Sequence, residues 1–412
     1  MAKGANKMRA MKDSGIAWIG EIPAKWELRR LRYLCTIVTG NQDTQDNDPD
    51  GVYPFYVRSP IVERSNKYTF DGEAILMAGD GVGAGKVFHY VEGKYGCHQR
   101  VYSLQNIKNI SRRFLFYYLQ NRFYISIDIA NSKSTVDSVR LNMLQDFPVV
   151  FPSKLEQDKI STFLDIECAR IDAVIEQTRA SIEEYKKLKQ SVITKAVTKG
   201  IHPNRSMKDS GVDWIVTIPS DWQMIRGKGL FVETNVRSDD GSEELLTVSQ
   251  YTGITPRSQK TVNMFEAETL EGYKVCEIGD IAANTMWLWA GAIGVSQYKG
   301  VISPSYNIYR QIGNAYVSKY LDYMLRVPPL VQHYESLSTG IRASRLRLYP
   351  EQFLGIRFPV PSIEEQRQIV DYLDAKAVEM DNLIEKKEEL LAELESYKKA
   401  LIYEYVTGKK EI

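Results

Sequence analysis

Cysteine and histidine are scarce in this chain of 412 residues, which contains four of each. The cysteines lie far apart and include no Cys-x-x-Cys pair, which disfavours both a thiolate zinc site and a disulfide framework. The histidines form no His-Glu-x-x-His motif, and no nucleophile stands beside them. The sequence therefore predicts no metal site, no catalytic residue and no cofactor in this chain.

Long apolar runs are missing as well. No stretch approaches the roughly 18–20 apolar residues that a membrane span needs. The opening segment, MAKGANKMRAMKDSG, is basic but lacks the apolar core that a signal peptide requires. We therefore expect a cytoplasmic protein without a membrane partner.

The chain also lacks an excess of charge of either sign, with 53 Lys and Arg against 52 Asp and Glu. This balance argues against a uniformly basic nucleic-acid coat protein. The charge is unevenly placed, however. Residues 361–412 hold 8 basic and 13 acidic residues, so their net charge is −5 and the rest of the chain carries +6. The neutral total therefore does not exclude a local basic face.

The chain does contain an internal repeat. MKDSGIAWIGEIPAKW at 11–26 returns as MKDSGVDWIVTIPSDW at 207–222, an offset of 196 residues. PSKLEQDKISTFLD at 152–165 returns as PSIEEQRQIVDYLD at 361–374, an offset of 209 residues. The sequence is therefore two copies of one unit with similar ends and a divergent centre. This pattern is typical of a device that docks two equivalent partners and reads two different ligands.

Each copy ends in a predicted long helix, because apolar residues recur at helical spacing through 154–198 and again through 361–412. Two such helices bury their apolar stripes most simply by packing against each other as an antiparallel coiled coil. The residues predicted to pack are Leu164, Ile171, Ile175, Leu373, Met380 and Ile384.

The start of each long helix carries a predicted cap. Ser153 and Ser362 stand at the N-cap positions, and Glu156 and Glu365 follow three residues later. This spacing predicts a capping box at both helices.

The regions before the helices mix signals for short strands and helices, which predicts α+β domains. Two of their loops are rich in Ser, Thr and Arg and end a basic stretch at the same place in each copy: NSKSTVDSVR at 131–140 and STGIRASRLR at 338–347. Such loops suit contacts with phosphates and base edges. The residues predicted to contact DNA are Lys133, Arg140, Arg342, Arg345 and Arg347.

A glycine-rich segment, GDGVGAGK at 79–86, invites two enzymatic interpretations. A phosphate-binding loop would need glycine where Asp80 stands and Ser or Thr where Val87 stands. Residues 80–85 also resemble an S-adenosylmethionine loop, so a DNA methyltransferase in its own right is the alternative hypothesis. A tight turn between strands is the interpretation we favour. A scaffold whose helices only dimerise it is a third possibility.

Four features together make the sequence resemble the specificity subunits of type I restriction-modification enzymes. They are the opening from Asp13 to Trp26 that returns from Asp209 to Trp222, the helix start at Pro152 and Pro361, the Leu-Asp pair that follows it, and the duplication itself. The resemblance covers essentially the whole chain. It implies target-recognition domains at 1–152 and 201–360, and conserved long helices at 153–200 and 361–412.

The resemblance also implies a division of labour. Each recognition domain would read one half of a bipartite site in double-stranded DNA, and the helical spacer would set the gap between the halves. The helices would dock two modification subunits, and restriction subunits would complete the complex. S-adenosylmethionine, ATP and Mg²⁺ are expected on those partners, so the chain itself would not be a catalyst.

Overall fold

The computed structural model describes residues 9–130, 138–260, 269–340 and 346–412. The chain divides into two compact units. Unit 1 comprises Met1–Arg179 and Glu389–Ile412, and unit 2 comprises Ala180–Glu388. Each unit therefore combines one globular domain with parts of both long helices.

The elements of unit 1 follow the predicted mixture of strands and helices. The strands are β1 (Met11–Asp13), β2 (Glu21–Pro23), β3 (Glu27–Arg30), β4 (Thr36–Thr39), β5 (Tyr53–Tyr56), β6 (Glu63–Ser65), β7 (Phe70–Asp71), β8 (Ala74–Ala78), β9 (Phe88–Val91), β10 (Lys94–Cys97), β11 (Val101–Gln105) and β12 (Pro148–Phe151). The helices are α1 (Arg112–Arg122), α2 (Tyr124–Ala130), α3 (Leu141–Asp146) and α4 (Lys154–Lys199), whose last turns belong to unit 2.

Unit 2 repeats this order. Its strands are β13 (Met207–Val212), β14 (Ile215–Pro219), β15 (Gln223–Arg226), β16 (Phe231–Thr234), β17 (Leu246–Ser249), β18 (Gly253–Pro256), β19 (Lys274–Cys276), β20 (Ile281–Ala283), β21 (Ile293–Val295), β22 (Gly300–Ile302), β23 (Asn307–Gln311) and β24 (Arg357–Val360). Its helices are α5 (Ser318–Leu325), α6 (Pro328–Leu337), α7 (Pro350–Gly355) and α8 (Ile363–Val406), whose end belongs to unit 1.

The central sheet is the same in both units. In unit 1 the strand order is β4-β11-β8-β9, in unit 2 it is β16-β23-β20-β21, and all neighbours are antiparallel. The third strand of each sheet is buried on both faces. Ile75 and Met77 face the core shared with the helices, and Ala74 and Leu76 face a second core. This double burial explains why AILMA is apolar throughout instead of alternating.

The shared ends of the two copies form a common frame. The Asp-Ser-Gly motif builds the same turn twice, because Asp13 accepts the Gly15 N–H at 3.0 Å and Asp209 accepts the Gly211 N–H at 2.8 Å. Both glycines have positive φ angles, +74° and +70°, which other residues rarely adopt. Strand β3 then pairs with β12, and β15 pairs with β24. The opening motif is thereby joined to the strand that precedes each long helix.

The two long helices run antiparallel within each unit. In unit 1, Asp172 pairs with Lys398 at 2.6 Å and Arg179 with Glu395 at 2.9 Å. In unit 2, Lys186 pairs with Glu388 at 3.9 Å and Lys189 with Asp381 at 2.6 Å. The partner on α8 thus moves backwards as α4 moves forwards. The predicted fold class, with two tandem α+β domains each followed by a long helix, is confirmed.

The residues predicted to pack along the helices are mostly buried. Leu164, Ile171 and Ile175 lie in the core of unit 1, and Leu373 lies in the core of unit 2. Met380 is also buried, whereas Ile384 is partly exposed.

The helix start at Ser362 corrects the predicted capping box. Ser362 is the N-cap, since its hydroxyl accepts the Glu365 N–H at 3.2 Å. The Glu365 carboxylate, however, does not complete a capping box. Both of its oxygens accept from Arg205, and Trp222 Nε1 donates to one of them at 2.8 Å. The Ser362 cap is therefore present, but a tertiary ion pair replaces the second hydrogen bond of the capping box.

Among the described residues, none of the helices combines the length and the apolar content that crossing a membrane takes.

Candidate nucleic-acid interface

The structure places two of the residues predicted to contact DNA. Arg140 is exposed at the N-cap of α3, and Arg347 is exposed beside Thr339, with which it exchanges backbone hydrogen bonds of 2.9 and 3.0 Å. Lys133, Arg342 and Arg345 lie outside the described residues.

The glycine-rich loop at 79–87, here called the first apical loop, lies next to the end of the predicted basic loop. Ser138 forms a β-bridge with Asp80, and the Val139 N–H donates to the Gly79 carbonyl at 2.7 Å. The Tyr102 hydroxyl holds the same segment by donating to the Val139 carbonyl at 2.9 Å. Two loops that are distant in sequence therefore meet at the end of β8.

The glycines of the first apical loop serve the turn and its packing. Gly81 and Gly85 have φ angles of +74° and +60°. A Cβ atom at Gly85 would meet Ile127 Cδ1 of helix α2 at 2.1 Å and Phe123 at 3.0 Å. Only glycine satisfies both demands. The glycine pattern thus agrees with the tight turn between strands that we favoured over a cofactor loop.

A charged group lies at the first apical loop and is centred on Asp80. Arg58 Nη1 donates to Asp80 Oδ1 at 2.9 Å, and Arg100 Nη1 donates to Asp80 Oδ2. Burial opposes ionisation of Asp80, but the hydrogen bonds from Arg100 and Arg58 outweigh it and hold the pKa of this carboxyl below its ordinary value. The two arginine side chains remain 43% and 60% exposed. We call these three residues the Arg–Asp–Arg group.

A groove of about 590 Å³ lies beside the Arg–Asp–Arg group. His98 supports one wall of it, because its Nδ1 accepts the Arg100 N–H at 3.0 Å and its Nε2 lies 3.4 Å from Asp43. Val82 at the tip of the loop is 95% exposed. The remaining lining residues include Thr44, Ser59, Pro60, Glu63, Gly83 and Lys86. The rim of this groove therefore presents the hydrogen-bond donors of Arg58, and the backbone of Arg100 beside it is held by His98.

The equivalent loop of unit 2, residues 284–292, follows β20 as the first apical loop follows β8; we call it the second apical loop. Trp287 and Trp289 stack there with ring centroids 5.7 Å apart, and Trp289 Nε1 donates to the Met286 carbonyl at 2.9 Å. Trp287 is half exposed. Gly291 has a φ of +87° and packs on Val331 of α6, much as Gly85 packs on α2. One position in the fold thus presents guanidinium groups in one domain and indole rings in the other.

Sequence reasoning missed these residues. Arg58, Asp80, Arg100, Trp287 and Trp289 fall outside the two basic loops that composition singled out. The sequence did contain a signal that could have located these loops. Each apical loop directly follows a short apolar strand at the same place in its copy, and the two loops do not resemble each other.

Two further kinds of site, reactive thiols and metal clusters, can be checked in the described residues. All four thiols are buried, and burial raises the pKa of Cys35, Cys97 and Cys276 to about 12. Such thiols stay protonated and unreactive at neutral pH. Within 9–130, 138–260, 269–340 and 346–412, no cluster of His, Cys, Asp and Glu is suited to holding a metal ion.

Comparison with known proteins gives a consistent result. Residues 23–184 match the family model described as the type I restriction modification DNA specificity domain. The EcoDI specificity subunit of Escherichia coli is 31% identical over 182 residues, which cover 43% of this chain and 39% of that relative. The MjaVIII specificity subunit of Methanocaldococcus jannaschii is 25% identical over 94% of this chain and 93% of the relative.

The fold has a counterpart among solved structures. A chain from a structure titled as the basis of complex assembly and conformational transition of the type I R-M system superposes with a TM-score of 0.67. The two chains are 17% identical, and the match covers 94% of this chain and 99% of the other.

Proposed function

We propose that the chain is a specificity subunit of a type I restriction-modification system and that each of its two domains reads one half of a bipartite sequence in double-stranded DNA. One observation carries the proposal: the two units share a sheet order but present different side chains at their equivalent apical loops. A common scaffold with different contact groups suits two half-sites of different sequence. The chain is the recognition component and not the catalyst.

The paired helices are the proposed docking site for two modification subunits. Four exposed apolar residues on them form two pairs related by the repeat offset of 209 residues. Val174 corresponds to Leu383, and Leu188 corresponds to Tyr397. Exposed apolar side chains at repeated positions suit two identical partners. Restriction subunits would join this assembly in the cytoplasm, and S-adenosylmethionine, ATP and Mg²⁺ would reside on the partners.

The helices also serve, in this proposal, as the spacer between the half-sites. Helix α4 has 46 residues and α8 has 44, and a helix rises about 1.5 Å per residue. Each helix is therefore about 65–70 Å long, far longer than burial of one domain requires. A rigid spacer of fixed length imposes a fixed number of unread base pairs, because half-site spacing follows from protein geometry.

DNA binding is expected to depend strongly on salt. With about four phosphate contacts, the affinity for duplex DNA falls roughly 10²-fold between 50 and 200 mM salt. Fluorescence anisotropy of a labelled duplex, bound by the chain with its modification subunits, measures the slope. Replacing both Arg140 and Arg347 by alanine lowers that slope, whereas Lys386→Ala on the acidic helix α8 leaves it unchanged. Affinity that stays flat over this range contradicts a DNA face.

A further inference from the structure

We propose that the Arg–Asp–Arg group of the first domain reads guanine, so that the half-site bound by this domain contains at least one G·C pair contacted by Arg58 or Arg100. The inference rests on the proposed function and deepens it. It assigns a base to three residues that the fold brings together from the ends of different strands.

Among the bases, the donor geometry favours guanine over adenine. A guanidinium has five N–H donors in a planar fork, so one hydrogen bond to Asp80 leaves donors for a second partner. Guanine presents two acceptors, O6 and N7, on its major-groove edge, and this pair matches the fork. Adenine presents one acceptor and one donor there, and the donor is repelled by an arginine N–H.

The shared carboxylate weakens a phosphate contact. Two arginines on one aspartate carry a net charge of +1 instead of +2, so the carboxylate reduces their attraction for an anionic phosphate. Hydrogen bonding to a neutral base edge depends less on this net charge and more on the direction of the donors. Because the pKa of Asp80 is lowered, the carboxylate is ionised at neutral pH and this argument holds there.

The group is also held in place before DNA arrives. Asp80 is fixed by its β-bridge with Ser138, and the Arg100 backbone is fixed by its hydrogen bond to His98. Arginine otherwise loses considerable side-chain entropy when it is ordered on a base. Fixing the guanidiniums in advance reduces that cost and favours one orientation of the fork. The arginine side chains keep 43% and 60% of their surface exposed, so their remaining donors are accessible to a base.

The first test selects bound sequences from a random duplex library with the whole chain and its modification subunits. We call the part of the recognised sequence that one domain reads its half-word. The half-word of the first domain is the one that changes when residues 16–152 are exchanged for those of a relative. Arg100→Lys and Arg58→Lys keep the charge but remove the fork. At least one of them is expected to lower discrimination at one G·C position by about 10-fold to 100-fold, with the salt slope and the other half-word unchanged. Arg64→Lys is the matched control, because Arg64 contacts the backbone at Gly51 and Val52.

The second test leaves the protein intact. Replacing guanine at the sensitive position by 7-deazaguanine removes N7 and is expected to weaken binding of the unaltered complex about 10-fold. Three results would each overturn the inference. The first is a half-word of the first domain without a G·C pair. The others are lysine variants that weaken binding to all sequences alike and lower the salt slope by about one, and lysine variants that lower only the melting temperature. If the affinity of the complex for DNA does not change with salt concentration, the proposed function is overturned instead.

Discussion

Removing one heptad from each long helix is expected to shorten the unread gap in the recognised DNA by about three base pairs. Seven residues span about 10.5 Å of helix, and duplex DNA rises about 3.4 Å per base pair. Seven residues are close to two full turns, so the apolar stripe keeps its direction within about 20°. The half-words themselves are expected to stay the same, because both apical loops are untouched.

The deletion must be matched between the antiparallel partners. Segments 176–182 and 390–396 are suitable, because they remove Arg179 and Glu395 together. The flanking pairs Asp172–Lys398 and Lys186–Glu388 are retained. The gap is read from the methylated sequence in cells that express the variant.

The control removes 176–182 alone. The helices then lose their pairing register, and we expect a marked fall in melting temperature and loss of the assembled complex. An active complex with the matched deletion and an unaltered gap would show that the helices do not set the spacing.

Glu365→Ala is expected to lower the free energy of unfolding by about 2–4 kcal/mol, the largest effect of a single substitution that we foresee. Glu365 is 7% exposed and accepts hydrogen bonds from Arg205 and from the Trp222 indole. Its removal leaves a guanidinium and an indole N–H without this partner in a largely buried site. Asp221 still contacts Arg205, which limits the loss.

The repeat supplies a matched comparison at Glu156. This carboxylate pairs with Arg9 at 2.7 Å as Glu365 pairs with Arg205, but its side chain is 31% exposed. The Trp26 indole, the counterpart of Trp222, has no hydrogen-bond partner among the described residues. Glu156→Ala is therefore expected to cost only about 1 kcal/mol. Chemical denaturation of both variants measures the difference, and equal losses would show that burial does not set the strength of this pair.

Periodic sequence patterns were enough to predict the helices and the repeat. The stripe through 154–198 predicted α4 almost to the residue, because helical periodicity is a local property of the chain. The prediction of a capping box at Glu365 was wrong because the partner of this carboxylate is not local. A residue 160 positions away, Arg205, competes for the carboxylate, and no local pattern reports such a partner.

The Arg–Asp–Arg group was hidden in the same way. Asp80 follows β8 and Arg100 precedes β11, and these ends meet only because Ala78 pairs with Val101 in the sheet. Arg58 arrives from the end of β5. The residue composition of single loops predicted DNA contacts from the loop at 131–140 instead. The two regions adjoin, because Asp80 forms a β-bridge with Ser138, and the predicted DNA contacts of that loop stay predictions.

Mapping methylated bases across the genome tests most directly whether this chain selects the DNA sequence of its complex. Three strains are compared: one with the chain, one without it, and one in which residues 16–152 are exchanged for those of a relative. We predict one bipartite methylated sequence in the first strain, its loss in the second, and a change of one half-word only in the third. A methylation pattern that is the same in all three strains would contradict a sequence-recognition role.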